Sequence, residues 1–270
     1  MRVFDRHHGR SLYLPPGMKF DEVAAALEGV PFMSQGEGRR VYDHICATRA
    51  KEVLEIGTAH GVSAAYMAAA LDEGGGGGVT TVDTSAVRRD PPPEDVLDRV
   101  GLQHLVRLVR VEDSSYTWWL KDQVAANSDL TGNCSPIYDF CYLDGAHNWT
   151  IDGLSVVLIE KLLRNNGWLL LDDLYWTYAS GSPSPGQGSA DLRLSSAERG
   201  TPHIAAVFNL IVRQHPSFTR FREEDQWGWA QKAADQPRAY ELATTTSPTA
   251  EVIRALRRTK RALDAYRTRQ

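Results

Sequence analysis

Acidic residues stand where two apolar runs of the sequence end, and their spacing suits metal chemistry. Asp144 closes the run 138–144, while Asp172 closes the run 168–172 and Asp173 follows it. If the two runs are adjacent parallel strands, their carboxyl ends meet at one edge of a sheet and bring the three carboxylates together. Ionised acids at that distance raise one another's pKa values, and a divalent cation would keep all three charged. Ligands that are all oxygen favour Mg²⁺, Mn²⁺ or Ca²⁺, and we assign Mg²⁺ first.

A second interpretation of these acids needs no metal. Asp is common in turns and as a helix N-cap, so Asp173 could cap a turn while Asp172 points to solvent. Against this, every exit of the strands predicted below is acidic: Glu55, Asp83, Glu112 with Asp113, Asp144, and Asp172 with Asp173. Such a rim suits a polyhydroxylated, cationic or metal-bound ligand better than turn chemistry alone.

The elements that must position these acids alternate between strand and helix from Lys51 onward. Hydrophobic periodicity predicts strands at 53–57, 79–83, 105–111, 138–144 and 168–172 and helices at 20–27, 38–48, 62–71, 150–163 and 201–214. Alternation of this kind predicts an α/β fold in which helices cover both faces of a parallel sheet. Residues 218–225 and 226–233 alternate like an antiparallel hairpin that completes the sheet.

Three regions are predicted along the chain. Residues 1–50 form an N-terminal helical cap region, 51–235 form the catalytic domain, and 236–270 form a tail whose segment 251–270 has an apolar stripe among basic residues. That segment is expected to be an amphipathic helix docked on its own domain, with use in a homodimer as the second choice. Residues 179–200, rich in Gly, Ser and Pro, are either a mobile lid or disordered.

Composition narrows the classes of partner. The chain has 270 residues and a formal net charge of −4, so it has no general attraction to nucleic acid. The three cysteines lack metal-type spacing and suit a reducing compartment, which predicts a cytoplasmic protein. The N-terminus lacks an apolar signal core, and the longest apolar stretch is interrupted by charge, so we expect no membrane partner.

A glycine loop follows the first predicted strand in VLEIGTAHGVSAAYMAAAL, where Gly57 and Gly61 bracket a tight turn before a helix. Glycine allows a sharp turn close to a ligand, and the free N–H groups of the helix N-terminus favour an anion. The spacing is not the G-x-G-x-x-G dinucleotide pattern, and the sequence lacks the G-K-[ST] of triphosphate sites.

This stretch resembles the first motif of class I S-adenosylmethionine (SAM)-dependent methyltransferases, E-x-G-x-x-x-G, in the form found in catechol-type small-molecule O-methyltransferases. The resemblance extends roughly over 33–232 and implies a Rossmann-like, doubly wound, seven-stranded sheet, mostly parallel with an antiparallel C-terminal hairpin. It implies that Asp83 binds the cofactor ribose and that Asp113 and Ser114 face adenine, although the family often has Gly at Glu112. The other implied cofactor-binding residues are Glu55, Gly57, Thr58, Gly61, Ser63 and Asp144.

The resemblance also implies a catalytic arrangement. Metal-dependent O-methyltransferases of the catechol type, and bacterial relatives that act on antibiotic sugars, carry acids at the places of Asp144, Asp172 and Asp173. Three residues after the metal Asp they place a base, and here that residue is His147, whose alternative role is to cap the following helix. Some sugar-modifying relatives have Asp where this chain has Ala146. The acceptor pocket is expected to include Trp149, Tyr175, Trp176 and Trp229, with His60 near its rim.

The sequence therefore predicts a SAM-dependent, divalent-metal-dependent O-methyltransferase that acts on a hydroxyl of a small natural product, with a sugar among the candidate acceptors. One alternative is a metal-independent N- or C-methyltransferase that uses His147 as base. The other is a non-catalytic protein that retains the cofactor-binding fold.

Overall fold

The computed structural model describes residues 18–84, 89–112, 115–180 and 194–233, which all lie within one compact unit, Met1–Asp235. Two predicted adenine contacts, Asp113 and Ser114, lie outside the described residues, as do the predicted helix at 251–270 and most of the 179–200 loop.

In the described part of the chain, seven strands form a single sheet in the order β3-β2-β1-β4-β5-β7-β6. The strands are β1 (Glu52–Ile56), β2 (Gly78–Thr84), β3 (Val106–Val111), β4 (Tyr138–Leu143), β5 (Leu163–Leu171), β6 (Phe218–Glu224) and β7 (Trp227–Lys232). The first five are parallel, and β7 pairs antiparallel with both β5 and β6. The predicted fold class is confirmed.

The strand register aligns the residues that follow β4 and β5. Ile56 of β1 lies beside Leu143 of β4, and Leu143 lies beside Leu171 of β5. The hydrogen-bond ladder continues one residue further, because the Asp144 N–H donates to the Ile56 carbonyl at 2.9 Å and the Asp172 N–H donates to the Leu143 carbonyl at 3.1 Å. The two acids therefore emerge side by side from the same edge of the sheet.

Helices cover both faces of the sheet. They are α1 (Met18–Ala26), α2 (Gln35–Thr48), α3 (Val62–Glu73), α4 (Pro93–Arg99), α5 (Tyr116–Ala126), α6 (Trp149–Leu162), α7 (Ser196–Gly200) and α8 (His203–Val207), with a 3₁₀ turn at Gln103–Leu105 and a π-helical turn at Phe208–Val212. One apolar core joins α1, α2 and α3 to the sheet, and a second joins α5, α6 and α8 to the opposite face. Burial of each large aliphatic or aromatic side chain in these cores stabilises the fold by roughly 1.5–3 kcal/mol.

Close packing places α3 directly under the glycine loop. Its central residues are mostly alanine and are fully buried, so the helix backbone can approach the sheet. On its other side, a Cβ added to Gly38 of α2 would lie 2.3 Å from the Tyr66 ring of α3. The N-terminus of α3, which the glycine loop feeds, is thereby held firmly.

Element boundaries differ from the prediction where local chemistry was overlooked. The α2 helix begins three residues earlier than predicted, because Ser34 and Glu37 form a reciprocal capping box. The β5 strand begins at Leu163 instead of Trp168, immediately after α6, and its pairing with β4 shifts register before Phe140. The predicted helix at 201–214 is a short α-helix followed by a π-helical turn.

Three helices, α4, α5 and the short α7 at the end of the 179–200 segment, were not predicted. Pro93 at the start of α4 and the acids Glu94 and Asp95 in its first turn are typical helix-opening residues, which the periodicity analysis did not use. No helix among the described residues is both long and apolar enough to cross a membrane.

Candidate active site

The β1–α3 turn requires glycine at its first residue. Gly57 has φ +96°, and a Cβ there would lie 1.8 Å from the carbonyl oxygen of Asp144. Gly61 also has a positive φ, +80°, and its N–H donates to the Thr58 carbonyl at 2.7 Å. The loop therefore passes close to the end of β4 and leaves an open space in front of the α3 N-terminus.

Asp83 ties the end of β2 to this loop. One carboxylate oxygen accepts from the backbone N–H groups of Thr58, at 3.2 Å, and Ala59, at 3.1 Å, and the other accepts from Thr84 N–H at 2.7 Å. Beside Asp83 opens a cavity of about 370 Å³, whose walls include Thr58, Asp83, Arg89, Pro92, Leu108 and Arg110. A carboxylate acceptor near the apolar side chains of Pro92 and Leu108 suits a nucleoside, so the residues present fit the adenosine part of SAM.

A narrower cleft continues from Thr58 and Ala59 toward the acids after β4. It is lined by Phe32, Met33, Gly57, His60, Ser63 and Asp144. The His60 Nδ1 atom lies 2.7 Å from the Pro91 carbonyl oxygen, and the His60 ring stacks on Phe32 with 5.4 Å between centroids. The absence of a Cβ at Gly57 lets the loop lie directly against the Asp144 carbonyl at the end of this cleft.

Glu55 lies beneath the glycine loop and lines neither cleft. It is fully buried, and it accepts a hydrogen bond from Thr81, whose hydroxyl lies 2.6 Å from that of Thr58. Burial raises the pKa of the Glu55 carboxyl to about 8, against hydrogen bonds from Ser63 and Thr81 that lower it. The structure therefore places this predicted cofactor residue as a support of the loop.

The structure brings together Asp144, His147 and Asp173. The Nε2 atom of His147 lies 3.1 Å from Asp144 Oδ1 and 3.2 Å from Asp173 Oδ2. One ligand atom from each of the three residues lies within 4.8 Å of the others, which fits a single metal ion. Burial lowers the pKa of His147, but the hydrogen bond that its Nε2–H donates to Asp144 and the charges of both acids outweigh burial and raise the pKa to about 9.

Asp172 is placed differently from the other two predicted metal ligands. One of its oxygens accepts from the Tyr142 hydroxyl, and the other accepts from Trp227 Nε1 at 2.8 Å and from the Asp173 N–H at 2.7 Å. Burial, followed by the charge of Asp144, raises the pKa of Asp172 to about 7. Asp172 is thus hydrogen-bonded within the protein and does not simply point to solvent, as the metal-free interpretation required.

The loop that carries His147 is held by buried polar groups. The Tyr116 hydroxyl donates to Asp152 and accepts from the Ala146 N–H at 2.8 Å, and the Tyr178 hydroxyl donates to the Ala146 carbonyl at 3.0 Å. Asn148, and not His147, caps α6. His147 has φ +53°, a costly conformation for this residue type, and the surrounding bonds maintain it.

Of the four predicted acceptor-pocket aromatics, Trp176 lies beside this cluster, and Trp149 and Tyr175 lie at the protein surface. The Trp176 ring lies 5.2 Å from His147, while Trp149 and Tyr175 are 41% and 51% exposed. The fourth assignment needs correction. Trp229 is fully buried and packs against His44 and Phe140 in the core, so it offers no surface to an acceptor.

Several residues of the site were not identified from the sequence. Phe32 and Arg89 line the clefts, and Tyr142 and Trp227 hold Asp172. Tyr142 could have been predicted from the sequence. It lies two residues before Asp144 in an extended stretch, so the two side chains point to the same side of the sheet. The sequence contains no comparable signal for Phe32, because its stacking on His60 joins two segments that are distant along the chain.

Comparison with known proteins finds a family model that matches the central part of the chain. Residues 54–174 match a family model described as a methyltransferase domain. No curated protein sequence matches the chain significantly.

Solved structures share the fold at low sequence identity. A putative caffeoyl-CoA O-methyltransferase from Staphylococcus aureus has a TM-score of 0.56 and 18% identity over 79% of this chain and 92% of its own. An O-methyltransferase from Bacillus cereus in complex with S-adenosylhomocysteine (SAH) has a TM-score of 0.53 and 18% identity over 82% of this chain and 93% of its own. The O-methyltransferase TomG from Streptomyces achromogenes, involved in tomaymycin synthesis and in complex with SAM, has a TM-score of 0.53 and 15% identity over 80% and 90%.

Proposed function

We propose that the chain, whose residues 54–174 match a methyltransferase-domain model, transfers the methyl group of SAM to a hydroxyl oxygen of a small natural product beside a divalent cation. One observation carries this proposal. Asp144 belongs both to the narrow cleft with Gly57 and Ser63 and to the cluster with His147 and Asp173. A methyl donor in that cleft and a hydroxyl at the cluster would therefore meet at one residue.

Different residues of the chain would bind and orient the methyl donor and the acceptor. Asp83 offers its carboxylate to the ribose, and the cleft lined by Gly57 and Ser63 would receive the methionine part. The exposed rings of Trp149 and Tyr175, with Trp176 beside His147, offer flat surfaces to an aromatic or sugar acceptor. Since methyl transfer needs donor and acceptor in line and in contact, this positioning supplies most of the acceleration.

We propose that Asp144 and Asp173 hold the cation, with Asp172 as the third acid predicted from the sequence. A bound cation would lower the pKa of the acceptor hydroxyl and orient it. By the family resemblance, His147 would receive the hydroxyl proton at Nε2, the atom that faces both carboxylates. The association of TomG with tomaymycin synthesis supports a natural product as the class of acceptor.

A methylation assay tests this function. The protein would be incubated with isotopically labelled SAM and a panel of catechols, other phenols and glycosylated natural products, and the products analysed by mass spectrometry. We expect an O-methylated product, loss of turnover in EDTA, and recovery with Mg²⁺ or Mn²⁺. The Asp173→Asn variant should lose this metal-stimulated turnover yet bind SAH, whereas Asp225→Asn, which alters an exposed acid at the β6–β7 turn, should remain active.

A second function is supported by the same cluster. His147 lies between Asp144 and Asp173 and, when protonated, would balance their charge without a metal; in metal-independent N- or C-methylation its neutral form would act as the base. Turnover that is unaffected by EDTA would favour this function. Failure to bind SAH at all would contradict both.

A further inference from the structure

We propose that His147 is a ligand of the cation together with Asp144 and Asp173, so that the site prefers a transition-metal ion such as Mn²⁺ over Mg²⁺. This inference rests on the cation site of the proposed function. It replaces the ligand set inferred from the sequence, which contains only oxygen donors.

The spacing of the three donor atoms supports this set. Neighbouring ligands of an octahedral ion with bonds of about 2.1 Å lie roughly 3 Å apart. His147 Nε2 lies 3.1 Å from the nearer oxygen of Asp144 and 3.2 Å from that of Asp173. Only a small outward movement of the side chains would therefore be needed to admit an ion between the donors.

Asp172 is less available than His147. Its Oδ1 atom already accepts two hydrogen bonds, from Trp227 Nε1 and the Asp173 N–H, and its Oδ2 atom accepts one from Tyr142. Coordination through Oδ1 would compete with those donors. These hydrogen bonds suit a residue that holds a metal ligand in place, because the bond from the Asp173 N–H to Asp172 fixes the backbone of Asp173.

The backbone directs both His147 and Asp173 toward the same point. Their φ values are +53° and +55°, and such left-handed conformations cost roughly 1 kcal/mol or more in residues other than glycine. The hydrogen bonds of Ala146 to Tyr116 and Tyr178 maintain the first of these. The His147 side chain is thus presented to the two carboxylates by a fixed loop.

A nitrogen donor changes the preference of the site. Mg²⁺ binds oxygen and keeps its waters, whereas imidazole suits first-row transition-metal ions such as Fe²⁺, Ni²⁺ and Zn²⁺. Mn²⁺ is the ion of that series that also suits carboxylate ligands, so it fits a mixed set of two carboxylates and one imidazole. Two carboxylates and one imidazole leave further positions for water or an acceptor hydroxyl. A coordinated Nε2 atom cannot also accept the proton of that hydroxyl, so on this inference His147 is not the base.

Spectroscopy of the full-length, metal-depleted protein tests the inference without relying on turnover. The protein would be loaded with Mn²⁺ and studied by pulsed electron paramagnetic resonance, and Mn²⁺ and Mg²⁺ affinities would be measured by calorimetry. We expect the coupling of a directly bound nitrogen and Mn²⁺ binding at least about tenfold tighter than Mg²⁺ binding. The His147→Ala variant should lose the nitrogen coupling and bind Mn²⁺ roughly 10- to 100-fold more weakly.

Two controls separate the outcomes. Asp172→Asn should keep the nitrogen coupling, and SAH binding should show that both variants remain folded. Mn²⁺ bound without nitrogen coupling, with its affinity dependent on Asp172, would overturn this inference and leave the proposed cation site intact. Absence of Mn²⁺ and Mg²⁺ binding would overturn both the inference and the metal dependence of the proposed function.

Discussion

Gly57 and Asp144 meet so closely that a methyl group on Gly57 would lie 1.8 Å from the Asp144 carbonyl oxygen. The contact joins the loop at the end of β1 to the first residue after β4. Both residues line the cleft in which the methyl donor is proposed to lie, so a shift of either residue would change the shape of that cleft.

Gly57→Ala is therefore expected to destabilise the protein strongly and to abolish SAH binding. The clash with backbone adds to the strain of a positive φ, and we expect a loss of roughly 3 kcal/mol or more in the free energy of unfolding. Urea titration and calorimetry would measure the two effects.

Gly101→Ala is the matched control, because Gly101 has φ +67° but no atom within 4 Å of an added Cβ. It should lose only about 1–2 kcal/mol. Equal losses in the two variants would show that the contact with Asp144 does not constrain the loop.

Asp83→Asn is expected to weaken SAH binding by roughly 10- to 100-fold, as the loss of a charged acceptor implies. The carboxylate of Asp83 also holds the Thr58 and Ala59 N–H groups, so part of the effect would come through the loop. Calorimetry with SAH is the measurement, and Asp95→Asn, an exposed change in α4, should bind as wild type. Unchanged affinity in Asp83→Asn would exclude the ribose assignment.

The acids that follow the strands could be predicted from the sequence, because apolar runs and the residues that end them are local features of the chain. Apolar runs that end in acids identified Asp144, Asp172 and Asp173, and the parallel arrangement brought their backbones to one edge. The partners of Asp172 were not predictable in this way. They depend on β7 returning beside β5, with Leu171 opposite Gly228.

Trp227 and Trp229 show the limit of pattern analysis. The two residues are separated by one position in β7 and have the same side-chain type, so the sequence alone does not distinguish them. The register places Trp229 opposite Leu170 in the core, whereas the Trp227 indole reaches Asp172 at 2.8 Å. The choice of Trp229 as an acceptor contact failed because it relied on residue type without that register.

Glu55 should make stability depend on pH in the cofactor-free and metal-free protein. Burial raises its pKa from 4.5 to about 8. Below pH 4.5 the Glu55 carboxyl is protonated in both the folded and the unfolded state. Between pH 4.5 and about pH 8 it is protonated to a greater extent in the folded state. The free energy of unfolding should therefore fall as pH rises through this window, by at most about 1.4 kcal/mol per pH unit.

Glu55→Gln should lack this contribution, because the amide does not ionise. Urea unfolding at about pH 5 and about pH 8 should show the variant gaining stability relative to wild type at the higher pH. Glu52→Gln, an exposed change in the same strand, controls for the lost charge. Parallel pH profiles for wild type and Glu55→Gln would contradict the buried neutral carboxyl.

Tyr116→Phe is expected to loosen the loop that carries His147. The substitution keeps the ring but removes the hydroxyl that donates to Asp152 and accepts from the Ala146 N–H. Two buried groups would lose their partner, at a cost of roughly 1–3 kcal/mol. Hydrogen exchange at the Ala146 amide should accelerate, and metal-stimulated turnover should fall more than SAH binding.

Tyr175→Phe, which removes an exposed hydroxyl bonded to Glu223, is the control and should leave exchange at the Ala146 amide unchanged. Equally slow exchange at Ala146 in both variants would contradict this role of Tyr116. The loop around His147 would then be held by Tyr178 and Asn148, and Tyr116 would serve only the packing of α5 against α6.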